Sequence, residues 1–175
     1  AEAIAEGIVA AFESGSSLSG EFAYTVIEPT YDQRLIADGA ELLAYPAAPG
    51  ERWIDIDLSN YSVTGYEGAT PVVRTPMVPG APLTPTKTGS FAVYAKLPSQ
   101  TMRGNNVDGS TYETPNVPWI LYYDGGYALH GAYWRSSFGY DAGSGGSHGC
   151  VNLPVGQAKQ LYDFASIGDK VIVHY

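Results

Sequence analysis

Three residues in the last third of the chain have the types needed for nucleophilic acyl chemistry: His130, His148 and Cys150. A thiol attacks as its thiolate, and a free cysteine with a pKa of about 8.5 is only slightly ionised at neutral pH. An imidazole beside it supplies the base, and afterwards returns the proton to a leaving amine. Gly149, directly before Cys150, lets a carbonyl approach the backbone closely. The amides there are candidate donors to an oxyanion, each worth about 3–4 kcal/mol in acyl transfer. Two other readings fit the residue types. A lone cysteine is commonly a small buried hydrophobe. The same three residues also suit zinc, although a fourth ligand is hard to find because His174 falls on the last predicted strand.

The order of residues around these positions is more specific. His130-Gly131-Ala132-Tyr133-Trp134, a loop, and then Ser147-His148-Gly149-Cys150-Val151-Asn152 resembles the signature of the L,D-transpeptidase (YkuD-type) catalytic domain. The resemblance extends over residues 52–175. It includes the opening Arg52-Trp53-Ile54, the block Thr84-Pro85-Thr86-Lys87-Thr88-Gly89-Ser90-Phe91, and Asn152-Leu153-Pro154. It implies Cys150 as nucleophile and His130 as its base, with that imidazole oriented by the backbone carbonyl of Gly131. It implies Gly149 and Cys150 amides at the oxyanion, and Tyr112, eighteen residues before His130, near the same oxygen.

His148 lies two residues before Cys150, so on an extended segment the two side chains share a face; it is assigned to support. Asn152 is expected to hold the nucleophile turn by side-chain hydrogen bonds, and Ser147 opens that turn. Trp134 and Tyr133 either line a substrate groove or belong to the core. Arg103 and Arg135 either pair with a substrate carboxylate, which guanidinium suits, or are solvated surface residues.

The elements that must position these residues are mostly strands. Trp53, Ile54, Ile56 and Leu58 open one; residues 61–66 and 69–77 form a hairpin around Glu67-Gly68; residues 90–97 form another strand. Pro76, Pro79, Pro82 and Pro85 mark a turn-rich loop, and residues 98–117 read as a second, polar one. Residues 119–123 and 127–130 pair across Asp124-Gly125-Gly126. A loop covers 131–147, a helix starts at Pro154 and ends at Gly168, and residues 170–175 close with a strand. The expected fold is mainly β: an L,D-transpeptidase-type β-sandwich or barrel-like sheet with one helix after the nucleophile turn. A short α/β N-terminal segment precedes it, with a helix over 1–13 and a strand over 21–28.

Of the 175 residues, 45% are apolar and 15% charged, enough apolar content for a folded core. Nine basic residues against eighteen acidic give a net charge of −9. That excludes a basic face for nucleic acid or anionic lipid, and no apolar run is long enough to span a membrane. Residues 1–50 carry eight acids and one base, so the acidity is N-terminal. The composition changes at Tyr45-Pro46-Ala47-Ala48-Pro49-Gly50, which reads as a linker. Residues 1–50 are therefore expected to be the tail of an upstream module plus linker, and 51–175 the catalytic domain. Ala3 to Ile8 and the strand after it resemble the end of a peptidoglycan-binding module. The absence of an initiator Met or signal peptide reads as a removed leader or a piece of a longer protein.

The resemblance implies peptidoglycan stem peptides as donor and acceptor, carbapenem β-lactams as covalent inhibitors, no cofactor and no metal, and a place in the cell envelope outside the cytoplasmic membrane. Rival readings are a carboxypeptidase or amidase using the same thiolate, a non-catalytic wall-binding module, and a sortase, whose cysteine follows a Thr-rich strand.

Overall fold

The computed structural model describes residues 2–15, 34–142 and 146–175. Residues 1–33 and 34–175 are two compact units. In the first, α1 spans Glu2–Ser14, and Gly15 closes it in the left-handed region. The strand expected over 21–28 lies outside the described residues.

The second unit is two sheets and one helix. β1 (Arg52–Asp57), β2 (Ser62–Glu67), β3 (Thr70–Pro76), β4 (Gly89–Ala92) and β9 (Lys170–His174) form one sheet in the order β3-β2-β1-β9-β4. β5 (Ala95–Asn105), β6 (Thr111–Asp124), β7 (Tyr127–Gly131) and β8 (Val151–Leu153) form the other in chain order. Most pairs are antiparallel, but β1 with β9 and β7 with β8 run parallel. α2 (Val155–Phe164) follows β8 and packs on β6 and β7.

Alternation explains where the core lies. Ile54, Ile56, Val171 and Val173 from the first sheet meet Leu121, Tyr123, Leu129, Val151 and Leu153 from the second, with Ala158 and Leu161 of α2. Alternation then assigns the opposite face of the second sheet. Ala128, Val117 and Ile120 cluster there with Met102, Tyr122 and Cys150. His130 and Asn152, a register pair on the parallel strands, alternate with the core residues Leu129, Val151 and Leu153.

Two regions differ from the sequence reading. Residues 98–117, expected as a loop, are the long arms of the β5–β6 hairpin. Their polar alternation reflects a hairpin that projects beyond the core, so neither face is apolar. The arm is bent where β6 carries Asn116 and Trp119 at positive φ (52° and 57°) and where the register slips between Gln100 and Met102. Such bulges increase twist and redirect side chains. β8, three residues long, carries no alternation that a sequence pattern can detect.

Residues 34–50 pack on the outer face of β1. Ala37, Ala40 and Ala47 surround Trp53, which is fully buried, stacked on Tyr66 at 4.7 Å and edge-on to Tyr45 at 5.5 Å. Trp53 Nε1 donates to Gly68 O at 2.9 Å, and Arg34 is ion-paired to Glu51. Replacing Trp53 by Ala should destabilise the second unit by about 3–5 kcal/mol, from lost burial and the cavity left behind. Trp53→Phe should cost about 1–3 kcal/mol, because it keeps most of the apolar contact but orphans the Gly68 carbonyl. Urea unfolding of the three proteins measures both differences.

Candidate active site

β7 and β8 bring the reactive residues together. His130 pairs with Asn152 across the parallel register, and Cys150 ends the turn that enters β8. His130, His148, Cys150, Asn152, Ser147, Gly146, Trp134, Arg135, Tyr112, Met102 and Thr114 line one cavity of about 210 Å³.

The nucleophile turn is built by short side chains. Ser147 Oγ accepts the Gly149 N–H at 3.0 Å and donates to the Cys150 carbonyl, a local hydroxyl-to-backbone turn. Gly149 has φ +110, and a Cβ there would stand 2.6 Å from Cε1 of Tyr127, so no other residue fits. The Pro-rich segment before β4 clamps the turn from outside. Thr86 Oγ1 donates to Gly149 O at 3.0 Å and accepts Gly80 N–H at 2.8 Å, while Thr84 Oγ1 donates to Ser147 O at 2.8 Å. Val78 and Asn152 exchange two backbone hydrogen bonds of 2.9 Å.

His130 is 3% exposed, and its Nδ1 lies 3.1 Å from Gly131 O. A carbonyl only accepts, so Nδ1 carries the proton and Nε2 keeps its lone pair. Burial pushes its pKa down to about 4; the Gly131 carbonyl opposes that shift, and the Arg135 charge adds to it. Burial pushes the Cys150 thiol up. Both shifts favour the neutral forms, imidazole and thiol, of these two residues of one cavity lining. The thiol is turned to Gly126 O, 3.5 Å from Sγ.

His148 is placed differently. Its ring stacks on Tyr112 at 4.2 Å, and its Nε2 donates to Asn106 Oδ1 at 2.7 Å. Both partners belong to the β5–β6 hairpin, so His148 ties the nucleophile turn to that arm. Tyr112 lies across Gly104, its strand partner, where a Cβ would meet the ring at 2.7 Å. Among the described residues no three His, Cys, Asp or Glu side chains gather as a metal site.

Of the other residues singled out from the sequence, Trp134 faces His130 at 5.7 Å between ring centres, and Arg135 sits beside it in the cavity lining. Tyr133 turns away, its hydroxyl donating to Pro115 O at 2.7 Å. Arg103 is exposed, ion-paired to Glu113 at 2.8 Å, and outside the cavity. The Gly149 amide is engaged by Ser147, and Gly131 contributes its carbonyl. Met102, Thr114 and Gly146 were missed. Thr114 could have been found, since it lies two residues after Tyr112 and strand alternation puts both on one face.

A family model described as the L,D-transpeptidase catalytic domain (YkuD) matches residues 51–173. The chain belongs to that family. No curated protein sequence matches it. Among solved structures, a Cys-to-Ser mutant of the Enterococcus faecium L,D-transpeptidase is 30% identical, with a TM-score of 0.66 over 72% of this chain and 50% of that one. The catalytic domain of the E. faecium L,D-transpeptidase, acylated by ertapenem, is 33% identical, with a TM-score of 0.64 over 73% of this chain and all of that one. An L,D-transpeptidase from Mycobacterium smegmatis is 30% identical, with a TM-score of 0.64 over 71% of this chain and 59% of that one. The chain spans about half the length of the first of these.

The neutral resting pair predicts a particular pH profile. With burial lowering its pKa to about 4, His130 is expected to be unprotonated near neutral pH and to present no positive charge to hold a thiolate. Alkylation of Cys150 by iodoacetamide should keep rising through pH 9, following the upward-shifted thiol. A plateau already reached by pH 6 would instead report a preformed thiolate–imidazolium pair.

Proposed function

We propose that the chain is the catalytic part of an L,D-transpeptidase that makes 3→3 cross-links between peptidoglycan stems, outside the cytoplasmic membrane where that polymer lies. The observation that carries this reading is the shared cavity of Cys150 and His130, with the imidazole proton fixed on Nδ1 by Gly131.

The chemistry follows from the groups present. Rotation about Cα–Cβ takes Sγ from Gly126 O into the cavity. As Sγ attacks the carbonyl carbon of stem residue 3, its proton passes to His130 Nε2, and negative charge grows on the carbonyl oxygen. The Gly149 N–H is bonded to Ser147 Oγ in the resting turn, so the Cys150 N–H is the amide assigned to that oxygen, with Tyr112 in the same cavity lining. The C–N bond then breaks, the D-Ala nitrogen takes the proton from His130, and a thioester remains. The side-chain amine of an acceptor stem attacks that thioester, gives a proton back through His130, and the thiol re-forms as the new amide closes. Every step is acid–base or acyl transfer.

The ertapenem-acylated E. faecium domain supports a carbapenem as a covalent inhibitor here, with a β-lactam carbonyl in place of the stem carbonyl. Residues 51–175 are the unit to which the activity is assigned.

Purified disaccharide-tetrapeptide incubated with the protein should yield a dimer that has lost one D-Ala, read by mass spectrometry. Tripeptide as the sole product would make it a carboxypeptidase. Cys150→Ala should abolish both products and the carbapenem mass adduct while leaving the fold intact.

The two histidines should separate. His130→Ala removes base and acid together and should slow acylation by at least about 10²–10⁴. His148→Ala should cost less, up to about 10² through misplacement of the turn. His148→Gln should recover part of that, because a Gln amide can still donate to Asn106. Single-turnover acylation rates decide it; a larger loss for His148→Ala than for His130→Ala would reverse the assignments.

A further inference from the structure

Two arginines have the chemistry to bind a substrate carboxylate, and their surroundings separate them. Arg103 is satisfied by Glu113 on the neighbouring strand. Arg135 lines the Cys150 cavity, where its Nη2 donates to Gly146 O at 3.2 Å. Among the described residues its Nε is buried with no partner, and no carboxylate pairs with it. Among the described residues Asn152 Oδ1, in the same lining, is a second buried polar atom without a partner, and as an acceptor it suits a ligand N–H rather than a carboxylate. A partly buried guanidinium without a counter-ion is unfavourable unless an anion completes it. Two unsatisfied polar atoms in one small cavity mark where ligand atoms belong.

We propose that Arg135 binds the C-terminal carboxylate of the departing D-amino acid of the donor stem. This rests on the acyl-transfer reading above and adds the group that the site recognises. The position of Arg135 selects among substrate carboxylates. His130 must reach the nitrogen that leaves, and the terminal carboxylate is on the carbon bonded to that nitrogen. Arg135 shares the cavity lining with His130, and its charge opposes protonation of that imidazole, which suits a place at the leaving-group end. A side-chain carboxylate on stem residue 3 belongs to the acyl half, which stays on Cys150.

The placement also couples recognition to catalysis. The titratable groups sharing the cavity with His130 are Cys150, Tyr112, His148 and Arg135. Only Arg135 brings a permanent positive charge, and that charge weakens His130 as a base. A carboxylate seated on the guanidinium neutralises it, and the imidazole becomes a stronger base once the correct leaving group is in place.

The test compares three donors: disaccharide-tetrapeptide ending in free D-Ala, the same ending in D-alaninamide, and one with the stem residue 3 side-chain carboxylate amidated. Release of D-Ala or D-alaninamide is followed for wild type, Arg135→Gln and Arg135→Lys. Loss of a charge-assisted bond in a buried site corresponds to about a 10- to 100-fold fall. Wild type should favour the free acid over D-alaninamide by that factor in kcat/KM. Arg135→Gln should lose the preference, with its deficit confined to donors that keep the terminal carboxylate, and Arg135→Lys should fall between. The acidic limb of kcat should shift to lower pH in wild type on D-alaninamide than on the free acid, since the Arg135 charge then stays unneutralised.

Equal losses of Arg135→Gln on all three donors would overturn the proposal, as would a deficit removed only by amidating residue 3. Should Arg135→Gln fail to fold, the wild-type ratio decides alone, and a value near one overturns it. If wild type released nothing from any donor and formed no thioester, the acyl-transfer reading itself would fall, an outcome distinct from turnover indifferent to the terminal carboxylate.

Discussion

The parallel pairing of β7 with β8 is the constraint on which the site depends. Parallel neighbours cannot be joined by a tight turn; the chain must leave the sheet and cross back. Here the excursion begins as β7 ends at Gly131 and returns through Ser147-His148-Gly149-Cys150 into β8. His130 stands near the end of one strand and Cys150 at the mouth of the other, so residues twenty apart in sequence come to line one cavity. Leu129, Val151 and Leu153 on the opposite face lock the register, because a slip of one residue would drive His130 into the core and Leu129 into the cavity. α2 then covers β6 and β7 immediately after β8, which holds the crossover closed.

A nucleophile on a turn needs more than a strand behind it, and the Pro-rich segment before β4 supplies the rest. Its hydroxyls do not touch the cavity; they bond the carbonyls of Ser147 and Gly149 from behind. Thr86 is 4% exposed, and its one hydroxyl serves both Gly80 and Gly149, so the turn and its clamp are ordered together. The prolines limit the conformations of that clamp and lower the entropy lost in fixing it. The other side of the turn is held by His148 against Tyr112 and Asn106. The turn is thus gripped between a rigid loop and a projecting hairpin, and the geometry around Cys150 does not depend on the thiol.

How much of this was legible in the sequence divides by the physics involved. The sandwich class, the single helix after the turn and most strands were readable, because Ile54, Ile56, Val171 and Val173 bury in alternation that a sequence displays. The arms of the β5–β6 hairpin were not, since residues that face water on one side and a polar cavity on the other look like a loop. Arg103 and Arg135 are equivalent as letters; Glu113 paired with one and, among the described residues, no carboxylate paired with the other is a tertiary fact. Tyr133 and Trp134 were likewise indistinguishable until the turn after Gly131 sent one toward Pro115 and the other toward His130. Residues 34–50, rich in Ala, Pro and Gly, read as a linker by composition. Three small alanines are also what fits around a tryptophan that must be covered, and composition does not separate those two uses.

The electrostatics of the cavity follow from its burial. Separating charge between Cys150 and His130 would place two ions where water is largely excluded, and desolvation there outweighs their attraction unless other groups complete them. Both groups are shifted toward neutrality by burial, and the Arg135 charge disfavours an imidazolium further. A neutral thiol hydrogen-bonded to Gly126 is a poor nucleophile and a poor target for oxidants, since both reactions proceed through the thiolate. In the reading proposed above, reactivity then arises with the substrate, when an amide carbonyl accepts electrons from sulfur in the same step in which His130 takes the proton. In that reading the charge that would be costly on Cys150 passes to the substrate carbonyl oxygen instead of resting on sulfur. Burial that looks unfavourable for a catalytic thiol at rest is therefore what ties its activation to the arrival of an acyl donor.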